Sequence, residues 1–127
     1  MKFDHIAVCE PSESESDKFF INLLDLKKEY EFLVPENLSD MIFGIKKDFR
    51  VIRYGKEDFN VEVFITTDKI SITDHIKHIG ITVENKDVIL KKAQSLGFPI
   101  NKIKNEKGNS YYLFIRDSFG NYFEIKE

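Results

Sequence analysis

The stretch His5-Ile6-Ala7-Val8, near the start of the chain, recurs in the second half as His78-Ile79-Gly80-Ile81. In both stretches polar or small residues alternate with branched apolar residues, which is the pattern of a β-strand with one covered face. A helical pattern follows each stretch, and farther along Glu62-Val63-Phe64 matches Glu124-Ile125-Lys126. Because the matching stretches come in the same order in both halves, the sequence predicts two copies of one structural unit.

The first half is predicted to follow a β-α-β-β-β order. Alternating apolar residues indicate the strands, and apolar residues spaced by three and four indicate the helix. Ser12 and Glu15 fit a capping box just before that helix. The segment 38–45 is compatible with a strand and with a helical turn. The predicted strands are 3–9, 30–34, 49–54 and 61–65, and the predicted helix is 17–26.

The second half is predicted to repeat this order. Gly97 is expected to end its helix in the left-handed conformation, and Pro99 prevents the helix from continuing. The triplet Val51-Ile52-Arg53 of the first half matches Phe114-Ile115-Arg116 of the second. The predicted strands are 77–83, 98–103, 111–116 and 121–126, and the predicted helix is 86–96.

We predict one α+β domain over residues 1–127 that contains both copies. The first module covers about 1–66, a connector about 67–76, and the second module about 77–127. Each module alone would be a half-covered sheet with one helix, so we expect the two modules to pair. His75 has no counterpart in the first half and is interpreted as a surface residue of the connector.

Composition limits the classes of function that the chain can have. It has 127 residues, of which 42% are hydrophobic and 32% charged, and its formal net charge is -3. These values favour a globular domain and argue against binding to nucleic acid or to an anionic membrane. A single cysteine, Cys9, excludes a disulfide framework. Since neither a signal peptide nor a membrane-spanning apolar run is visible, we expect a cytoplasmic protein.

Four polar residues are candidates for metal ligands, namely His5, Glu62, His78 and Glu124. Strand alternation points each of them away from its apolar neighbours and toward the face that the helices leave uncovered. One such residue in a strand is more often a solvated side chain than a ligand. Four at equivalent places of two repeats favour an N/O site for Zn²⁺, Ni²⁺, Co²⁺, Fe²⁺ or Mn²⁺.

The whole chain resembles the vicinal-oxygen-chelate superfamily, which includes glyoxalases, bleomycin resistance proteins and dioxygenases. The resemblance lies in Phe3-Asp4-His5-Ile6-Ala7-Val8, in Val61-Glu62-Val63-Phe64 and in His78-Ile79-Gly80-Ile81. It also lies in residues 114–125, which are similar to the Arg-Asp-Pro-x-Gly-Asn-x-x-Glu-Leu ending of the family. Ser118 stands where the proline of that ending is usual.

The resemblance implies two β-α-β-β-β modules that form a cupped, eight-stranded mixed sheet, and a homodimer. It implies one divalent metal ion as cofactor and a small-molecule substrate with vicinal oxygens. The ligand set is most similar to that of glyoxalase I, because the position of Glu62 is not a ligand in fosfomycin-inactivating transferases or extradiol dioxygenases. The implied activity is that of a lyase or isomerase that stabilises an enolate, with Glu124 as the first candidate for the base and Glu62 as the second.

Two other functions occur on the same fold. One is metal-free sequestration of a small molecule, as in bleomycin resistance proteins, and the other is an iron-dependent dioxygenase. Bacterial glyoxalase I also places a basic residue shortly after the first histidine, where it helps to bind glutathione. Here Cys9 occupies that region and no arginine precedes Arg50, so the sequence does not predict glutathione as the thiol.

Alternation places several further residues on the face of the four candidate ligands. Cys9 is more simply a small strand residue, and core filling is the simpler role of the aromatic residues. Arg50, Arg53 and Arg116 are the arginines available to bind a carboxylate or phosphate. The predicted substrate-binding residues are Cys9, Phe64, Tyr112, Phe114, Arg116 and Tyr122.

Overall fold

The computed structural model describes residues 3–68, 76–105 and 107–127, and the chain divides into two compact units, Met1–Asp68 and Lys69–Glu127. His75 and most of the predicted connector lie outside the described residues. The first unit contains β1 (Ile6–Glu10), α1 (Glu13–Asp17) continued by a π-helical segment (Lys18–Leu23), β2 (Lys27–Val34), α2 (Glu36–Phe43), β3 (Phe49–Lys56) and β4 (Phe59–Ile65). The second contains β5 (Ile79–Thr82), α3 (Lys86–Leu96), β6 (Ile100–Lys104), β7 (Tyr111–Arg116) and β8 (Tyr122–Lys126).

Each unit has one four-stranded mixed sheet. The strand order is β1-β4-β3-β2 in the first unit and β5-β8-β7-β6 in the second. In both, the first strand runs parallel to the last, and the other neighbours are antiparallel. The prediction of an α+β fold with two tandem modules is confirmed, and the eight strands form two sheets of four.

The first helix begins four residues earlier than predicted. Ser12 caps it, because the Ser12 hydroxyl accepts a hydrogen bond from the Glu15 backbone N–H at 3.1 Å. The predicted capping residue therefore marks the start of the helix, as a cap should. Phe19, Phe20 and Leu23 of the π-helical segment are fully buried. The helix stops before the predicted end because Asp25 adopts a left-handed conformation, with φ of 60°.

The segment that was compatible with two structures is a helix, α2. Its first N–H groups need acceptors, and the Asp48 carboxylate accepts from the Glu36 N–H at 2.7 Å. Gly44 ends the helix in the left-handed region, with φ of 68°. The first unit therefore has a second helix, between β2 and β3, for which the second unit has no equivalent among its described residues.

The helix α3 has the predicted bounds. The Asn85 side chain accepts from the Val88 N–H at 3.0 Å at its start, and Gly97, with φ of 77°, ends it. Among the residues that the structure describes, no helix combines the length and the apolar character that crossing a membrane requires.

Burial confirms the alternation on the last strand of each unit. Val61 and Val63 of β4 and Phe123 of β8 are fully buried, and Ile125 of β8 is 2% exposed. The intervening side chains of Glu62 and Glu124 retain 14% and 16% exposure. Because successive side chains of a strand point to opposite faces, both carboxylates lie on the face away from this core.

The register corrects one detail of the repeat. Arg53 pairs with Glu62 across β3 and β4, whereas Phe114 pairs with Glu124 across β7 and β8. Phe114 is therefore the counterpart of Arg53, and the match of Arg53 with Arg116 was wrong by two residues. The sequence match rested on the Ile-Arg pair that both triplets share. The pairing register of each hairpin depends on its turn, and the turn before β8 is longer than the turn before β4.

The turn between β7 and β8 is built around the buried carboxylate of Asp117. One carboxylate oxygen accepts from the backbone N–H groups of Phe119, Gly120 and Asn121 at 3.1, 2.9 and 2.8 Å. The other accepts from the Asn121 side-chain amide at 2.7 Å. Gly120 has φ of 100°, which L side chains rarely adopt. This turn fixes where β8, and with it Glu124, begins.

We expect Asp117→Ala to lower the free energy of unfolding by about 2–3 kcal/mol, because three backbone donors lose a charged acceptor. The measurement is urea denaturation. Asp58→Ala, at an exposed position in the turn between β3 and β4, is the control and should change stability by about 0.5 kcal/mol or less. Equal effects of the two substitutions would contradict the role of Asp117.

Candidate metal-binding and substrate-binding sites

The first unit holds His5 against Glu62. His5 lies immediately before β1, whose Ala7 is the parallel partner of Glu62 on β4. The Nε2 atom of His5 is 3.2 Å from Oε2 of Glu62. Its Nδ1 atom is 2.7 Å from Oδ2 of Asp4. Each nitrogen of the His5 imidazole therefore faces one carboxylate.

The second unit repeats the arrangement with His78 and Glu124. His78 lies immediately before β5, whose Gly80 is the parallel partner of Glu124 on β8. The Nε2 atom of His78 is 3.4 Å from Oε2 of Glu124. Its Nδ1 atom is 2.8 Å from the backbone carbonyl oxygen of Ile76. The two units are therefore equivalent down to the facing atoms, since Nε2 of the histidine faces Oε2 of the glutamate in both.

The two pairs fit the ligand geometry of a divalent ion. Nitrogen and oxygen ligands at about 2.0–2.2 Å from an ion lie about 3.0–3.4 Å from each other. The carbonyl of Ile76 only accepts hydrogen bonds, so Nδ1 of His78 donates to it, and Nε2 is the nitrogen that faces Glu124. A cation, either a proton or a metal ion, fits between Nε2 and the carboxylate oxygen. Histidines that bind metals commonly donate from the other ring nitrogen in this way.

The four predicted ligands come together as two pairs. Among residues 3–68, 76–105 and 107–127, no group of three or more His, Cys, Asp and Glu side chains lies at metal-binding distance. Each unit therefore presents one imidazole and one carboxylate.

Arg53 distinguishes the first pair from the second. Its side chain is 11% exposed, and its Nη1 donates to Oε1 of Glu62 at 3.2 Å and to Oδ2 of Asp4 at 3.4 Å. Its Nε donates to Glu29 at 3.3 Å. Hydrogen bonds from His5 and Arg53 lower the pKa of Asp4 below its ordinary value. Glu62 is consequently held on both carboxylate oxygens, one by the imidazole and one by the guanidinium.

Glu124 has weaker restraints. Its strand partner is the apolar Phe114, whose ring packs edge to face against the His78 ring at 5.7 Å between centroids. Among the described residues, Lys126 also lies near Glu124, with Nζ at 3.3 Å from Oε2 and a side chain that is 59% exposed. A carboxylate held only by partly exposed side chains can change its position at low cost.

On the first sheet, Phe64 lies on the same face as Glu62, as predicted. It packs against the buried cluster of Val34, Phe49 and Val51, and its ring meets that of Phe43 edge to face at 5.7 Å. Cys9 is partly buried and is the strand partner of Phe64. Core packing therefore accounts for the position of Phe64.

The second unit contains a cavity of about 250 Å³. Three predicted substrate-binding residues line it, and Tyr112 lies outside its lining and is about half exposed. The pairing of Asn101 with Phe114 brings β6 to the cavity, a position for which the sequence carried no chemical signal. The lining residues are Pro99, Ile100, Asn101, Phe114, Arg116 and Tyr122.

Solved structures of glyoxalase-like proteins have the same fold. A glyoxalase family protein from Enterococcus faecalis matches with a TM-score of 0.73 and 15% identity, over 99% of this chain and 97% of that one. The trypanothione-dependent glyoxalase I of Leishmania major matches with a TM-score of 0.73 and 18% identity, over 100% and 86%. A point mutant of the fosfomycin resistance protein FosX from Listeria monocytogenes, in complex with Mn(II) and 1S,2S-dihydroxypropylphosphonic acid, matches with a TM-score of 0.71 and 12% identity, over 98% and 87%.

No protein-family model and no curated protein sequence matches the chain significantly. At these identities the structural matches establish the fold alone. They confirm the glyoxalase-like fold that the resemblance implied.

We expect Arg53→Gln to lower the free energy of unfolding by about 2 kcal/mol, because three carboxylates lose a largely buried counter-ion. Arg50, on the opposite face of β3, is the control: it is 45% exposed and pairs with Glu13 and Glu31. Arg50→Gln should have the smaller effect in the same urea denaturation experiment. If Arg50→Gln destabilises as much as Arg53→Gln, Arg53 is an ordinary surface residue.

Proposed function

We propose that the protein is a metal-dependent, glyoxalase-like lyase or isomerase that acts on a small substrate with vicinal oxygens by proton transfer. The observation that carries the proposal is the repeated pair of a His Nε2 and a Glu oxygen, 3.2 and 3.4 Å apart, with each Nδ1 on an acceptor. The fold match to a glyoxalase I and to a fosfomycin resistance protein in complex with Mn(II) supports it.

His5, Glu62, His78 and Glu124 are the proposed ligands of one divalent ion, which is Zn²⁺, Ni²⁺, Co²⁺, Mn²⁺ or Fe²⁺. Two imidazoles and two carboxylates suit ions of this borderline class. When bound, the ion would act as a Lewis acid on two adjacent substrate oxygens and make the neighbouring C–H group more acidic.

Glu124 is the proposed base, and Glu62 the fixed ligand. A base must reach the carbon-bound proton, hold it and return it to the neighbouring carbon, so its carboxylate has to move. Arg53 and His5 hold both oxygens of Glu62, whereas Glu124 has the exposed Lys126 and the partly exposed His78 as partners. The difference in restraint supports this division of roles.

A homodimer is part of the proposal. The helix α2 exposes several large apolar side chains, and Met41 is 76% exposed. Large apolar side chains exposed close together along the chain are typical of a protein–protein interface. A second copy of the chain is the partner we propose for it. The exposed apolar residues of this region are Leu33, Leu38, Met41, Ile42, Phe43 and Ile45.

Metal-free binding of a small molecule is the second candidate function. The cavity of the second unit favours it, because Phe114 and Tyr122 give that cavity aromatic walls independently of any metal. Metal content decides between the two candidates.

We expect protein purified without a metal-affinity step, then loaded with Zn²⁺, Ni²⁺ or Mn²⁺, to bind one ion per chain in a homodimer. Native mass spectrometry measures the number of chains and ions together. The double variant His5→Ala/Glu124→Ala should lose the ion, because it removes one ligand from each pair. His75→Ala, which removes the third histidine of the chain, should keep it. Failure to bind any ion, with tight binding of an aromatic ligand, would support the metal-free candidate.

We expect Glu124→Gln to slow proton exchange at the substrate carbon by about 10²- to 10⁴-fold while keeping the metal. Glu62→Gln should instead weaken metal binding more than Glu124→Gln does. Exchange is followed by NMR in D₂O with 2-hydroxy-carbonyl compounds, including hemithioacetals of methylglyoxal with glutathione and with cysteine. The reverse pattern would make Glu62 the base, and no exchange with any of these compounds by the metal-loaded protein would contradict the proposed reaction.

A further inference from the structure

The three arginines of the chain differ in their partners. Arg50 contacts Glu13 and Glu31, at 2.7 and 2.5 Å. Arg53 contacts three carboxylates, those of Asp4, Glu29 and Glu62. Arg116 contacts no carboxylate among the residues that the structure describes, and its side-chain partner there is Tyr122. Arg116 is therefore the arginine whose charge no acidic side chain of the described chain neutralises.

Tyr122 and the backbone hold Arg116 in place. The Arg116 backbone N–H donates to the carbonyl oxygen of Pro99 at 3.0 Å, which fixes the end of β7 beside the start of β6. The guanidinium carbon lies 4.4 Å from the centroid of the Tyr122 ring, and Nη2 donates to the Tyr122 hydroxyl. A guanidinium has five N–H donors in one plane, so most of those of Arg116 remain available to a ligand.

The neighbouring acidic side chains are engaged elsewhere. Asp117, the next residue along the chain, uses both carboxylate oxygens on the backbone and side chain of its own turn. Glu124, on the neighbouring strand, lies near His78 and Lys126. Arg116 consequently forms no ion pair with either residue, and its exposed side chain is accessible to a ligand.

Arg116 lines the cavity of about 250 Å³, together with Asn101. Ile100 and Phe114 supply apolar walls. Cavities for drug-sized ligands have about 300–1,000 Å³, so this one suits a smaller molecule. A guanidinium, an asparagine and apolar walls together suit a small oxyanion with a short carbon chain.

We propose that Arg116, with Asn101, binds an anionic carboxylate or phosphate group of the substrate. This inference rests on the proposed function and defines its substrate class as a small acid that carries an anionic group in addition to its vicinal oxygens. Phe114 connects the two places, because it lines the cavity, pairs with Glu124 and packs against His78. The anionic group binds one strand away from the His78–Glu124 pair.

The test uses the full chain after treatment with a chelator, in a buffer free of phosphate and carboxylate. Two matched pairs of probes are titrated, glycerol 1-phosphate against glycerol and lactate against propane-1,2-diol, and the amide signals of Asn101 and Arg116 are followed by NMR. We expect at least one charged probe to bind and to shift these signals, while its neutral partner does not. Tighter binding of glycerol 1-phosphate identifies a phosphate site, and tighter binding of lactate a carboxylate site. Equal behaviour of charged and neutral probes in both pairs overturns the proposal.

Substitutions locate the binding to Arg116. Arg116→Gln should weaken binding of the preferred probe about tenfold or more, because a charged hydrogen-bonded pair is lost. Arg116→Lys should lie between that variant and the unsubstituted protein, since it keeps the charge but loses the planar fork. Arg50→Gln, which removes an arginine with carboxylate partners, should leave binding unchanged. Unchanged binding in Arg116→Gln overturns the proposal.

The chelator separates this proposal from the proposed function. Anion binding by the metal-free protein, together with failure to bind any ion after loading, would contradict the metalloenzyme and leave the anion site intact. Normal metal loading without anion binding would contradict the anion site alone.

Discussion

The parallel pairing of the first and last strand of each unit is the constraint on which the candidate site depends. It places each glutamate beside the strand that a histidine precedes, through the partners Ala7–Glu62 and Gly80–Glu124. The apolar residues on either side of each glutamate hold this register, because a slip by one residue would bury a carboxylate and expose two core side chains. The buried residues that flank each glutamate thus fix the face of the sheet on which its carboxylate lies.

The two units share this backbone and differ in one cross-strand neighbour. Arg53 gives Glu62 a largely buried counter-ion, whereas Phe114 gives Glu124 an apolar wall. A repeat can therefore place equivalent histidine–glutamate pairs in unequal surroundings: Glu62 contacts the largely buried Arg53, whereas Glu124 lies near the exposed Lys126. Phe114 also lines the cavity of the second unit, together with Arg116.

Most of the fold followed from local patterns, and the exceptions have physical causes. β7 and α3 have the predicted bounds, because alternation and caps are properties of neighbouring residues. The helix α2 was not distinguishable from a strand, since its start depends on Asp48, twelve residues after Glu36. The candidate ligands were predictable because repetition marks them. Two contacts could not be predicted from the sequence, because both depend on cross-strand register: the contact of Arg53 with Glu62, and the position of Asn101 at the cavity.

The proposed anion site would allow the proposed chemistry to proceed without glutathione. Binding energy from a part of the substrate that does not react can orient the reacting carbon. In a thiol-dependent enzyme the thiol supplies that part, and basic residues near the first histidine hold it. This chain has Cys9 in that region, and in the other unit Arg116 lines the cavity together with Phe114. A substrate with its own anionic group would be held by Arg116, leaving its vicinal oxygens for the ion and its C–H group for Glu124.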